Sequence, residues 1–124
     1  MLLVCRFRPG GDATFLPRAT RALELLTGQP GCRDATLARA LDDPAAWLLV
    51  ARFDSVAAYR RSMSPFDVRE HVVPLLSEAL TDEPSTYEPT LEAAGGTVTE
   101  ITSLIAGDAA TVRLGEAAGP TTPR

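Results

Sequence analysis

Lysine and asparagine are absent from the 124 residues, and there is one histidine, one tryptophan and two cysteines. All 12 basic residues are therefore arginine. Without lysine the chain can form neither a Schiff base nor a lysine-ended phosphate cradle. His71, Cys5 and Cys32 are too few and too scattered for a zinc site, so no metal is expected. The cysteines form no CxxC pair and read as two free thiols. No run of 18 apolar residues marks a membrane span. The stretch Met1-Leu2-Leu3-Val4-Cys5-Arg6 turns polar too early for a signal-peptide core, so a cytoplasmic location is expected. Clustered cations are also lacking. With a net charge of −4 and a pI near 4.9, no nucleic-acid partner is expected, because such binding needs a basic surface.

What is present suits one domain with a single core: 45% of the residues are hydrophobic. Leu2 to Arg8 alternates as a strand and stops at Pro9-Gly10-Gly11. A helix follows, capped by Asp12 or Thr14, with Phe15, Ala19, Ala22, Leu23 and Leu26 on one face and Gly28 as its left-handed stop. Cys32 to Leu41 alternates again and reads as a strand. Trp47 to Phe53 is a nearly unbroken apolar run, the signature of a strand covered on both faces. Ser55 caps a short helix, Val56 to Met63. Ser64 caps another that carries Val68, Val72, Leu75, Leu76 and Ala79 inward and that Pro74 kinks. Ser85 to Glu92 reads as a last strand, and Pro89 puts it at a sheet edge.

The order is β-α-β-β-α-β, an α+β ferredoxin-like domain over residues 1–93. Right-handed crossovers place strands one and three in the middle of a four-stranded antiparallel sheet, with the helices on one face. Residues 94–124 form a C-terminal extension. In it Gly95-Gly96 reads as a hinge, 97–105 as an extra strand, and the remainder as a flexible tail.

Both central strands are apolar on both faces. Leu3, Cys5 and Phe7 alternate with Leu2 and Val4, and Trp47, Leu49, Ala51 and Phe53 alternate with Ala46, Leu48 and Val50. Two helices cover only one face. The bare face calls for a second copy of the chain, or for the segment 97–114 folding back over it.

Several pieces now stand in order: Arg6-Phe7-Arg8, a helix, Gln29-Pro30-Gly31-Cys32, an apolar third strand, Asp54-Ser55-Val56-Ala57-Ala58-Tyr59-Arg60, and Ser64-Pro65 followed by His71 and Pro74-Leu75-Leu76. Together they resemble the antibiotic biosynthesis monooxygenase domain family, over about Leu2 to Leu91. The resemblance implies a dimeric α+β barrel with a pocket between sheet and helices. It implies a cofactor-independent monooxygenase that oxidises an aromatic or polyketide-like small molecule. A non-oxidative polyketide cyclase or isomerase, and a non-enzymatic small-ligand or haem-binding dimer, are the alternatives. Quinone-forming members use an Asn and a Trp near the end of strand three and a Tyr on the next helix. Phe53 stands at the Trp position, Tyr59 matches the Tyr, and this chain has no Asn. The haem-degrading branch uses a His that His71 matches in its spacing from Ser64, beside an Asn on strand one and a Trp on the helix, neither of which occurs here.

The candidate catalytic residues are His71 and Tyr59. His71 is placed as a general base, oriented by Asp67 one turn back, or else as a surface or interface histidine. Tyr59 is placed as a donor to a substrate carbonyl, or else as an amphipathic core tyrosine. Trp47, Phe53, Phe66 and Tyr87 are candidates for a flat aromatic pocket, or for ordinary core. Arg52 is a substrate-binding candidate. It shares the face opposite Phe53 with Arg6, and both need carboxylates of a second subunit or a route to water. Cys5 reads as a buried, inert thiol.

Overall fold

Period-two burial identifies the central strand. Along β1 (Leu2–Phe7), Leu3, Cys5 and Phe7 are buried while Leu2, Val4 and Arg6 keep partial exposure. The partner strand β3 (Trp47–Phe53) buries Leu49, Ala51 and Phe53 on the same side. A computed structural model of the chain describes residues 1–102, and these divide into two units, Met1–Tyr87 and the segment from Glu88 onward. No helix among the described residues is long and apolar enough to cross a membrane.

In the first unit the strands run in the order β2-β3-β1-β4, all antiparallel, with β2 (Cys32–Arg39) and β4 (Thr86–Tyr87) at the edges. This is the ferredoxin-like arrangement expected from the chain order. The helix α1 (Phe15–Thr27) lays Phe15, Ala19, Ala22 and Leu26 on the sheet. α2 (Val56–Ser62) starts where the Ser55 side chain accepts a hydrogen bond from the Ala58 N–H at 3.0 Å. Val68, Val72 and Leu75, from the following helical segments, complete the core with Leu3, Leu49 and Phe53.

Several local expectations need correction. Gly28 ends α1 in a right-handed conformation (φ −78°), and the left-handed residue is Gly31 (φ +88°) in the next turn. β2 ends at Arg39, which leaves Leu41 fully exposed. Pro65, not Ser64, stands at the start of α3 (Phe66–His71). Pro74 breaks the helix rather than bending it, because its missing N–H leaves the Glu70 carbonyl unserved. The chain restarts at Val72 as α4 (Val73–Leu76), with Val72 N–H donating to Val68 and Leu76 N–H to Val72.

The last strand is also shorter than the span 85–92. Only Thr86 and Tyr87 pair with β1. The pairing stops at Leu2↔Tyr87, at the start of β1 and before Pro89 is reached. Leu91–Ala94 (β5) instead pairs with Thr97–Glu100 (β6) in a separate hairpin of the second unit. Gly95-Gly96 is its turn rather than a hinge: both residues have positive φ (58° and 84°), as a two-residue turn of matching twist requires. The remainder of the 97–105 strand beyond Thr102, and the tail, lie outside the described residues.

Candidate active site

β4 is so short that β1 borders irregular chain for most of its length. Leu80 N–H donates to the Arg6 carbonyl at 2.8 Å, and Val4 N–H donates to the Ser85 carbonyl at 2.7 Å. Residues 81–84 therefore loop out from β1 between two fixed points. Beneath them lies a cavity of about 360 Å³. Its floor is Leu3 and Cys5 on the inward face of β1, its wall is Tyr59 on α2, and Glu83 belongs to its rim. Cavities that hold small organic ligands begin at roughly 300 Å³.

Ser55 fixes the start of α2, so Ala58 and Ser62 point inward and Tyr59 falls beside them. The Tyr59 ring meets Phe53 edge-on, with centroids 5.3 Å apart at 75°. Its hydroxyl makes no hydrogen bond among the described residues. Burial raises its pKa above the ordinary 10, and the nearby Cys5 thiol adds to the shift. Burial pushes the Cys5 thiol up to about 11. Near neutral pH both groups keep their protons, so each is a hydrogen-bond donor and neither is a base.

The other candidates separate. Phe53, 1% exposed, is core behind Tyr59. Trp47 meets Phe15 edge-on at 5.8 Å, carries the Arg39 guanidinium over its ring, and borders a different cavity of about 340 Å³. Phe66 is 66% exposed and lines none of these cavities. Tyr87 pairs with Leu2, and its hydroxyl donates to the Pro84 carbonyl at 2.9 Å. Arg52 is exposed on the opposite sheet face and holds Asp34 at 2.9 Å. Arg6 holds Asp82 at 2.7 Å. Both arginines thus find carboxylates in their own chain. His71 is exposed at the end of α3, in a groove of about 390 Å³ with Arg18, Arg21 and Glu70. Its Nε2 lies 3.3 Å from Glu70, not against Asp67. The inner cavity therefore unites Tyr59 with Cys5 and Glu83, two residues that the sequence did not mark as functional. The inward parity of β1 was a usable signal for Cys5; Glu83 carried none.

The fold, this pocket between sheet and helices, and a family model matching residues 2–72 agree. The chain belongs to the antibiotic biosynthesis monooxygenase family. Solved structures of similar fold include SnoaB, a cofactor-independent oxygenase from Streptomyces nogalater. An Asn-to-Ala mutant of it is 25% identical, with a TM-score of 0.55, covering 64% of this chain and 82% of that one. SnoaB without that substitution is 23% identical, with a TM-score of 0.54, over 70% of this chain and 96% of that one. A conserved protein from Methanosarcina mazei Go1 is 20% identical, with a TM-score of 0.55, covering 66% and 82%. No curated protein matches the chain. This member of the antibiotic biosynthesis monooxygenase family has a tyrosine at the cavity wall and no asparagine at all.

Proposed function

We propose that this protein is a cofactor-independent monooxygenase acting on an aromatic or polyketide-like phenol in the cavity beside Tyr59. The observation that carries this is the Tyr59 hydroxyl, protonated and without a partner among the described residues, at the wall of a cavity large enough for a small organic molecule. The substrate supplies the electrons. A ring CH₂ loses one proton to a base, and the carbanion gives an electron to O₂. The resulting radical pair joins as a C–O bond. The peroxide takes back the proton, its O–O bond breaks, and the remaining C–H proton leaves with the departing oxygen. One CH₂ and one O₂ become one C=O and one water. Tyr59 donates to the substrate oxygen on which negative charge collects.

Tyr59→Phe removes that donor and keeps the ring. It is expected to lower kcat for O₂ uptake with an anthrone substrate on the order of 100-fold. His71→Ala, in the outer groove, is expected to leave kcat unchanged. Equal rates for Tyr59→Phe and the wild type would sink the assignment. The missing asparagine favours a second reading, a non-oxidative cyclase or isomerase, whose turnover would persist without O₂.

The same reading includes self-association through the sheet face away from the helices. Val4, Val50 and Thr36 stand in one row across that face, and Arg6, Leu48 and Ala38 in the next. Each large aliphatic side chain left in water forgoes about 1.5–3 kcal/mol, which an isologous contact recovers. Val50→Arg is expected to convert a dimer into a monomer in sedimentation velocity. A wild type that is monomeric at micromolar concentration would remove this part of the reading.

A further inference from the structure

A carbanion mechanism needs a base, and His71, the residue whose type suits that role, opens onto a different groove. The inner cavity offers three titratable side chains: Cys5, Tyr59 and Glu83. Cys5 and Tyr59 hold their protons near neutrality and can only donate. Glu83 is the carboxylate that remains. We infer that Glu83 is the general base of this cavity and takes the acidic proton of the bound substrate. This rests on the carbanion chemistry proposed above, but not on its oxygen step.

The loop holds the backbone of Glu83 close to β1. Its two ends are tied to β1 through Leu80 and Ser85. Its middle is tied by the Asp82–Arg6 ion pair, and Pro84 stiffens its end. Asp82 is thus committed to Arg6, whereas Glu83 makes no hydrogen bond or salt bridge among the described residues. The charged group beside it is Arg6, whose guanidinium feels the charges of both Asp82 and Glu83. Tyr59 and Cys5 face the cavity from α2 and β1. A substrate in this cavity meets donors for the oxygen that gains charge and, in Glu83, an acidic residue for the proton that leaves. In the step itself, a substrate C–H or O–H bond breaks and its electron pair stays on the substrate. The proton bonds to a Glu83 carboxylate oxygen. No oxidant takes part, and the peroxide later recovers the proton.

Proton abstraction is measurable without O₂. The full chain is incubated with an anthrone in anaerobic D₂O buffer at neutral pH, and loss of the ring CH₂ proton signal is followed by NMR. Glu83→Gln is expected to slow enzyme-dependent exchange by about 10²–10⁴-fold. Glu83→Asp is expected to recover part of it, and both variants are expected to bind the quinone product as the wild type does. Because Glu83 is exposed, the fold should survive, and an unchanged denaturation midpoint checks this. Exchange by the wild type that Glu83→Gln loses, with no O₂ uptake when air is admitted, supports the base and rejects the monooxygenase. Undiminished exchange in Glu83→Gln, with O₂ uptake intact in the wild type, overturns the base alone. Exchange by the wild type no faster than in buffer overturns it as well.

Discussion

Phe53→Ala is expected to lower the free energy of unfolding by about 3–5 kcal/mol. Phe53 ends β3 at 1% exposure and belongs to the same buried cluster as Leu3, Leu26 and Leu49. Its ring also supports Tyr59 edge-on at 5.3 Å, and such pairs add about 0.5–1.5 kcal/mol beyond the area they bury. Domains of this size have total stabilities of about 5–15 kcal/mol, so the loss is a large part of the whole. Trp47 is the single tryptophan and stands on the same strand, which makes its fluorescence a direct reporter in urea. Phe53→Leu keeps most of the volume and is expected to cost less than about 1.5 kcal/mol. It still removes the aromatic contact with Tyr59. A loss for Phe53→Ala no larger than that for Phe53→Leu would mean that the surroundings collapse onto the gap.

The elements most legible in the sequence were those whose pattern is local. Alternation along Leu2 to Phe7 gives the inward set of β1 directly, since each step along a strand reverses the face. Ser55 announced α2 because a capping side chain is a property of one residue and its near neighbours. Long-range pairing was harder. The Arg52–Asp34 ion pair was hidden because the register of β2 shifts between Cys32 and Asp34, and parity counted from Cys32 puts Asp34 on the wrong face. The cavity was hidden for a related reason. Its roof is held by two backbone hydrogen bonds, Leu80 N–H donating to the Arg6 carbonyl and Val4 N–H donating to the Ser85 carbonyl, and backbone groups are the same for every sequence. His71 has helical spacing to Val68 and Leu75, but the buried face runs through Val68, Val72 and Leu75, and His71 falls beside it toward solvent.

Gly31→Ala is expected to destabilise the fold by about 2–4 kcal/mol, from two separable causes. The first is conformational. Gly31 has φ +88°, a region that a residue with a Cβ enters at a cost of about 1–2 kcal/mol. The second is steric. A Cβ built at Gly31 would stand 2.6 Å from the Ala58 Cβ, closer than real Cβ atoms approach. Neither side yields easily. The Gly31 carbonyl accepts a hydrogen bond from the Asp54 N–H at 2.8 Å, and Ala58 donates its own N–H to the Ser55 cap. A double-mutant cycle with Ala58→Gly divides the two causes. That change alone weakens α2 by about 0.5–1 kcal/mol, but it removes the atom in collision. The double mutant should therefore be more stable than the two single losses added together, with a favourable coupling of about 1 kcal/mol or more. Denaturant midpoints of the four proteins measure this. Simple additivity would show that the backbone conformation alone requires glycine there. A coupling as large as the whole Gly31→Ala loss would show that the close approach of α2 to this turn requires it. Tyr59 follows Ala58 directly, so that second outcome would also mean that Gly31 sets how near the wall of the cavity comes to the sheet.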